Sequence, residues 1–281
     1  MIAFFNGEFV SADDPHINLA DRGFCLGDGL FETIRCCNGK PFRWDRHWQR
    51  LTGSAAFLKI NLPFGESDSR KLAEGLLARN KQSDVILKIN LSRGAGQRGY
   101  SIRGTGEATF AMTVHPAPPI TETDPLPWRL RTASYRLQST DPLRRHKTTN
   151  RLINILARAE AEEVGADEAL LLNERGEVAE AASANVFWIR DNCICTPSLS
   201  AGALPGITRA YAREWATEAG FESREETLAG ENLHGVDGVF LTQSSLGIIE
   251  VAELDGRPLS SSKQTTQIRR SWWNTVQRET A

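Results

Sequence analysis

The sequence predicts an α+β protein organised as two domains, and three patterns carry that reading. Trp48, Leu51, Ala55 and Leu58 recur at three- and four-residue steps, which marks residues 45–58 as an amphipathic helix. Val85, Leu87, Ile89 and Leu91 alternate with Ile86, Lys88 and Asn90, which marks a strand. Four prolines fall in the eleven residues from His115 to Pro125, and such a stretch breaks helix and strand alike. It reads as an interdomain linker, placed at 115–122, with domains over 1–114 and 123–281.

The remaining elements follow in chain order. Apolar Ile2 to Phe5, the turn dipeptide Asn6-Gly7 and then Phe9-Val10 predict a hairpin. The helix at 45–58 and the strand at 85–91 come next, and Ala108 to Val114 reads as a further strand. After the linker a strand begins near Leu130. Asn150 to Val164 reads as a strong helix, with Leu152, Ile155, Leu156 and Ala159 on its apolar face and Asn154 and Arg158 opposite. Strands are expected at 169–172, from Val178, at 186–189, at 193–195 and at 239–241. Glycines bound a helix at 206–220 that sets Ile207, Tyr211 and Trp215 on one face. A last helix is expected from Lys263, anchored by Trp272 and Trp273.

Composition narrows the function. The 281 residues are 40% hydrophobic and 24% charged, as in soluble globular proteins. Thirty-three Lys and Arg stand against 35 Asp and Glu, a net charge of -2 that argues against a nucleic-acid binder. No apolar run approaches the roughly 20 residues of a membrane span, and the N-terminus does not resemble a signal peptide. The five cysteines (25, 36, 37, 193, 195) show no Cys-x-x-Cys spacing, and the five histidines are scattered. No metal site is expected, and reduced thiols in a cytoplasm are the expected state.

Four stretches can carry chemistry. Lys147 lies in Arg144-Arg-His-Lys-Thr-Thr-Asn150, where neighbouring cations favour a neutral, nucleophilic amine; on composition alone, the stretch reads as a solvated basic loop before a helix. Leu204-Pro-Gly-Ile-Thr-Arg209 opens a helix whose free N–H groups suit a phosphate, with Thr208 adding a hydroxyl. The polar run Thr242-Gln-Ser-Ser245 could complete that cradle. Glu180 could pair with a pyridine nitrogen. Ser92-Arg-Gly-Ala-Gly-Gln-Arg-Gly-Tyr-Ser101 sets Arg93 and Arg98 in a glycine-rich loop suited to carboxylates.

Taken in this order, the motifs resemble the class IV, pyridoxal 5'-phosphate (PLP)-dependent aminotransferases and lyases of fold type IV. Asp21-Arg-Gly-Phe-Cys-Leu-Gly-Asp-Gly-Leu-Phe-Glu-Thr-Ile-Arg35 resembles the family's N-terminal signature, and His47-Trp-Gln-Arg-Leu51 its phosphate-arginine helix. Lys147-Thr-Thr-Asn150 resembles the lysine motif, Glu177-Val-Ala-Glu-Ala-Ala-Ser-Ala-Asn-Val-Phe187 the segment bearing the pyridine carboxylate, and Leu204 to Arg209 the phosphate loop. The resemblance implies an N-terminal α/β sandwich and a C-terminal pseudo-barrel with helices, with PLP lodged at their junction. It also implies a homodimer in which the neighbouring chain finishes each site. Lys147 is then expected to carry PLP. Arg50, Ile207, Thr208 and one or both of Ser244 and Ser245 would bind its phosphate, and Glu180 its ring nitrogen.

Three features resemble the aminodeoxychorismate lyase branch: the Ser92–Ser101 loop, the short Asn150-Arg-Leu152 ending of the lysine motif, and Phe240-Leu-Thr-Gln-Ser-Ser245. The implied reaction releases pyruvate from 4-amino-4-deoxychorismate to form 4-aminobenzoate, with Arg93 and Arg98 on the substrate carboxylates. The alternative is transamination of D-amino acids, branched-chain amino acids or (R)-amines with a 2-oxo acid acceptor. Against it, the tyrosine usual near position 151 in branched-chain enzymes is absent. So is the arginine–histidine pair of the D-amino acid enzymes.

Overall fold

Asn6 and Gly7 both take positive φ, 46° and 105°, the backbone that a tight hairpin turn demands. They join β1 (Ile2–Phe5) to β2 (Glu8–Ser11) in a computed structural model that describes residues 1–119 and 126–281. Short α1 (Arg22–Leu26) leads into β3 (Gly29–Cys37), which pairs with β4 (Lys40–Pro41). Helices α2 (Trp44–Leu58) and α3 (Glu66–Asn80) precede β5 (Val85–Ser92) and β6 (Thr109–Pro116). The strands form an antiparallel sheet in the order β2-β1-β6-β5-β3-β4. The alternation read at 85–91 is the core side of β5: Leu87, Ile89 and Leu91 pack with Trp48, Leu51 and Ala55 of α2 and with Leu76 and Leu77 of α3.

Beyond the described gap come β7 (Trp128–Leu137), a 3₁₀ turn at Pro142–Arg145, α4 (Leu152–Glu163) and β8 (Glu168–Asn173). Strands β9 (Val178–Ala181), β10 (Asn185–Arg190) and β11 (Cys193–Thr196) lead to α5 (Ile207–Glu218) and β12 (Glu222–Glu225). The hairpin of β13 (Gly238–Gln243) and β14 (Gly247–Leu254), then β15 (Arg257–Pro258) and α6 (Lys263–Thr280), complete the chain. Among the described residues these strands make a nine-stranded mixed sheet, ordered β12-β11-β10-β13-β14-β7-β8-β9 with β15 beside β14. Strands β9 and β10 stand far apart in that order, yet only residues 182–184 join them. A connection that short curls the sheet back on itself into a half-barrel.

The chain divides into two units that are not continuous in sequence. One comprises Met1–Pro118, His146–Asn150 and Val276–Ala281; the other Pro119–Arg145 and Arg151–Thr275. Lys147 thus belongs with the antiparallel sheet. Strand β6 runs through His115 and Pro116, the first two residues of the expected linker; Pro116 sits at the strand's last paired position, where its missing N–H disrupts least. Residues 120–122 of that linker, and residue 123 where the second domain was expected to begin, lie outside the described residues.

One helix is turned the other way from its expected orientation. In α4 the buried side is Asn154, Ala157 and Ala161, while Leu152 and Ile155 are 73% and 60% exposed. Small alanines let the helix sit close against β7 and β8, and Asn154 Nδ2 donates to the Ala182 carbonyl at 2.8 Å. The apolar stripe read from the sequence is real but faces outward.

Candidate active site

Strand β3 supplies the first group of polar residues. Glu32 is buried, and its carboxylate accepts from Arg50 Nε at 2.8 Å and from a second Arg50 nitrogen at 2.6 Å. This is the bidentate fork in which arginine holds a carboxylate best. His47, one turn before Arg50 on α2, donates Nδ1–H to the same carboxylate at 2.7 Å, since an ionised carboxylate can only accept. Burial alone would raise the Glu32 carboxyl, but Arg50 and His47 reverse the effect and hold it at about 2. Burial pushes the His47 imidazole below its ordinary value, and Glu32 offsets this only in part. Arg50, the expected phosphate arginine, is therefore fixed in orientation before any ligand arrives.

This arrangement contributes to the acid limb of stability. Glu32 contributes fully above its ordinary value of 4.5 and progressively less as the pH falls toward 2. That shift is worth roughly 3 kcal/mol. Neutral His47 adds a loss in the same direction below 6.5, where the unfolded imidazole takes up a proton. Denaturant titrations from pH 7 to pH 3 should show stability falling steeply in the wild type and less steeply in Glu32→Gln; equal slopes would contradict this account.

The Lys147 segment lies along the start of β3. Phe31 N–H donates to the Lys147 carbonyl at 3.0 Å, Thr148 bridges to Leu30, and Thr149 N–H donates to the Gly29 carbonyl at 3.0 Å. The Thr149 hydroxyl and the Asn150 amide both donate to the Gly27 carbonyl at 2.8 Å. The Lys147 ammonium stands 4.3 Å from the centre of the Phe31 ring, and Lys88 of β5 reaches the same ring at 5.4 Å.

Arg93 and Arg98, expected to hold substrate carboxylates, have different surroundings. Arg93 is buried, donates to both Asp28 oxygens at 2.7 and 2.9 Å, and donates to the Leu58 and Lys59 carbonyls at 2.7 Å each. Its guanidinium is committed to holding the loop's base. Arg22 also binds Asp28 and donates to the Gly99 carbonyl at 2.9 Å, so this buried cluster fixes the glycine-rich loop. Gly94 has φ 82°, and a Cβ there would fall 1.8 Å from the Glu107 carbonyl oxygen, so only glycine lets the loop close. Arg98 is exposed farther along the loop.

In the other unit Glu180 of β9 is buried. One of its oxygens pairs with Arg144 and the other accepts the Leu204 N–H at 2.9 Å. Helix α5 begins at Gly206 with no side-chain cap, leaving its first N–H groups to an outside acceptor. A Cβ at Gly206 would fall 2.0 Å from Asn185 Oδ1. The Asn185 amide donates to the Leu204 carbonyl at 2.8 Å, and on the sheet Asn185 faces Thr242. The helix start and the 242–245 turn thus meet around Asn185. Thr208 is buried in the first turn of α5. The buried Thr242 hydroxyl has no hydrogen-bond partner among the described residues. Ser244 and Ser245 are half-buried in the turn, where the Ser245 hydroxyl donates to Gln243 at 2.8 Å.

An uncapped helix start with an unpaired buried hydroxyl suits a phosphate, and a lysine, an arginine and a buried carboxylate are the residue types that PLP would use. Sequence reasoning missed Glu32, His47, Asp28 and Arg144, the partners that hold these groups. His47 and Arg50 at helical spacing were the one available signal. Among the described residues no cluster could hold a metal ion, and no helix is long and apolar enough to cross a membrane.

The family model for amino-transferase class IV matches residues 29–254. The chain belongs to this family and is an enzyme of that class. It is 33% identical over 95% of its length to a Methanocaldococcus jannaschii protein assigned as a branched-chain-amino-acid aminotransferase, covering 92% of that protein. It is 29% identical to the D-alanine aminotransferase of Bacillus licheniformis over 100% of this chain and 99% of that one. It is 30% identical to the aminodeoxychorismate lyase of Bacillus subtilis over 90% of this chain and 86% of that one. A crystal structure from Legionella pneumophila assigned as a 4-amino-4-deoxychorismate lyase superposes with a TM-score of 0.87 at 31% identity, covering 94% and 97% of the two chains. The Escherichia coli branched-chain amino acid aminotransferase superposes at 0.92 with 25% identity, over 100% and 96%.

Proposed function

We propose that this enzyme is a PLP-dependent lyase that releases pyruvate from 4-amino-4-deoxychorismate and leaves 4-aminobenzoate. The observation that carries the reading is the pair of ammonium groups on the Phe31 ring, Lys147 at 4.3 Å and Lys88 at 5.4 Å. Only one lysine is needed to carry the cofactor. The second cation, with exposed Arg98, suits a substrate bearing two carboxylates. Arg93 serves this recognition through the loop it anchors.

Lys147 holds the cofactor, Arg50 and the start of α5 at Ile207 and Thr208 take its phosphate together with Ser244 and Ser245, and Glu180 pairs with its ring nitrogen. When bound, PLP supplies the electron sink. The Lys147 amine would take the proton from the substrate ring carbon. It returns that proton to the departing enolpyruvyl group, which leaves as pyruvate while the ring becomes aromatic. Arg144 and the Leu204 N–H keep the Glu180 carboxylate in place throughout.

A second reading, transamination of a D-amino acid, is supported by the relative that bears that name. There Lys147 would move a proton between substrate carbon and cofactor, and Arg98 would hold one carboxylate. The test is the product set. Equal amounts of 4-aminobenzoate and pyruvate from aminodeoxychorismate, with no 2-oxo acid added, support the lyase. Rapid D-alanine transamination with no 4-aminobenzoate reverses the order.

The outward apolar face of α4 is the surface we assign to a second copy of the chain, making the enzyme a homodimer. Light scattering should give about twice the 31.1 kDa of one chain, and a mass of 31.1 kDa would contradict it. All five cysteines are free thiols, which supports a reducing cytoplasm as its compartment.

A further inference from the structure

His146 has no part in the chemistry above, yet its side chain is docked on two residues of α2. Its ring stacks on Phe57 with centroids 4.1 Å apart and planes at 22°, and its Nδ1 is hydrogen-bonded to the buried Ser54 hydroxyl at 3.0 Å. Ser54 and Phe57 lie on α2, and with His47 and Arg50 they follow one another at steps of three, four and three residues. Such steps form one stripe along a helix. One end of the stripe therefore holds Arg50 against Glu32, and the other end holds the residue next to Lys147.

The C-terminal side of Lys147 is tied through its backbone. Its own carbonyl and the backbone of 148–149 bond to the start of β3, and the Thr149 and Asn150 side chains to the Gly27 carbonyl before it, whereas Arg145 belongs to the other unit. His146 is the first residue of the segment to be fastened within this unit.

We propose that His146 is a positioning residue. It pins the N-terminal side of Lys147 to α2 and so sets the spacing between the lysine amine and the Arg50 guanidinium. This rests on the reading above, in which those two groups hold opposite ends of PLP. It also explains why Phe57 can stay 48% exposed: its ring is the platform for the imidazole.

The experiment titrates apo-protein with PLP for the wild type, His146→Ala, His146→Phe and Ser54→Ala. It follows visible circular dichroism of the bound cofactor, and separately measures amide hydrogen exchange of the apo-proteins over 146–150. His146→Ala should weaken PLP binding about ten-fold, reduce the dichroism and speed exchange at 147–149. His146→Phe keeps the stacking and should recover most of the affinity. Ser54→Ala should show part of the loss and add little in the His146→Ala background, because the two residues share one interaction. Wild-type affinity, dichroism and exchange in both His146→Ala and Ser54→Ala would overturn the proposal. Wild-type protein that takes up no PLP would defeat the cofactor reading, and the exchange rates would still decide whether His146 fastens the segment.

Discussion

Lys147→Ala is expected to lose the visible absorbance of the lysine-bound cofactor and to lower turnover by about four orders of magnitude. The effect is large because the proposed function gives one amine two tasks, holding the cofactor and moving the proton. The fold should survive. The backbone of the segment makes hydrogen bonds to β3, and alanine keeps all of these. Far-ultraviolet circular dichroism should therefore match the wild type. A variant that keeps the visible band would mean that another amine carries the cofactor. Lys88, the other ammonium on the Phe31 ring, would be the residue to replace next.

Glu180→Gln is the second large effect, and it should appear in two separable measurements. Turnover should fall about 10²–10³-fold, because a neutral amide no longer favours the proton on the cofactor's ring nitrogen. Stability should fall by about 3–5 kcal/mol, because the substitution leaves buried Arg144 without its counter-charge. The double variant Arg144→Met with Glu180→Gln removes both charges and should regain much of the stability while remaining slow. If the double variant recovered activity along with stability, Glu180 would serve only as a partner for Arg144.

Much of this was legible from the amino acids, and the parts that were not share physical causes. Helix α2 and strand β5 are each covered on one side and open on the other, so their periodicity showed in the sequence. Strand β3 is buried along most of its length on both faces, which erases the alternation, and Glu32 and Arg35 interrupt its apolar run. In α3 the apolar residues are confined to Leu72, Ala73, Leu76, Leu77 and Ala78, and the half that opens the helix is polar. Helix α4 shows a different limit. Periodicity reveals that an apolar stripe exists and is silent on what covers it, so the alanine side was overlooked as the packed one. Residue types with an intrinsic chemistry stood out in the sequence: a lysine among cations, a helix start suited to a phosphate, a glycine-rich arginine loop. Their holders were not, because Glu32 meets Arg50 across 18 residues and Arg144 meets Glu180 across 36. Pairings at that distance are created by the fold. Arg93 looked like a substrate residue for the same reason, since nothing in its neighbours announces Asp28.

Both readings of the reaction rest on a single covalent assignment, and one measurement tests it directly. Purified protein, saturated with PLP, is reduced with borohydride, digested and mapped by mass spectrometry. The account requires the pyridoxyl label on the peptide containing Lys147, at one label per chain. A label on Lys88 or on any other lysine, or a fully reduced sample with no label, would contradict it.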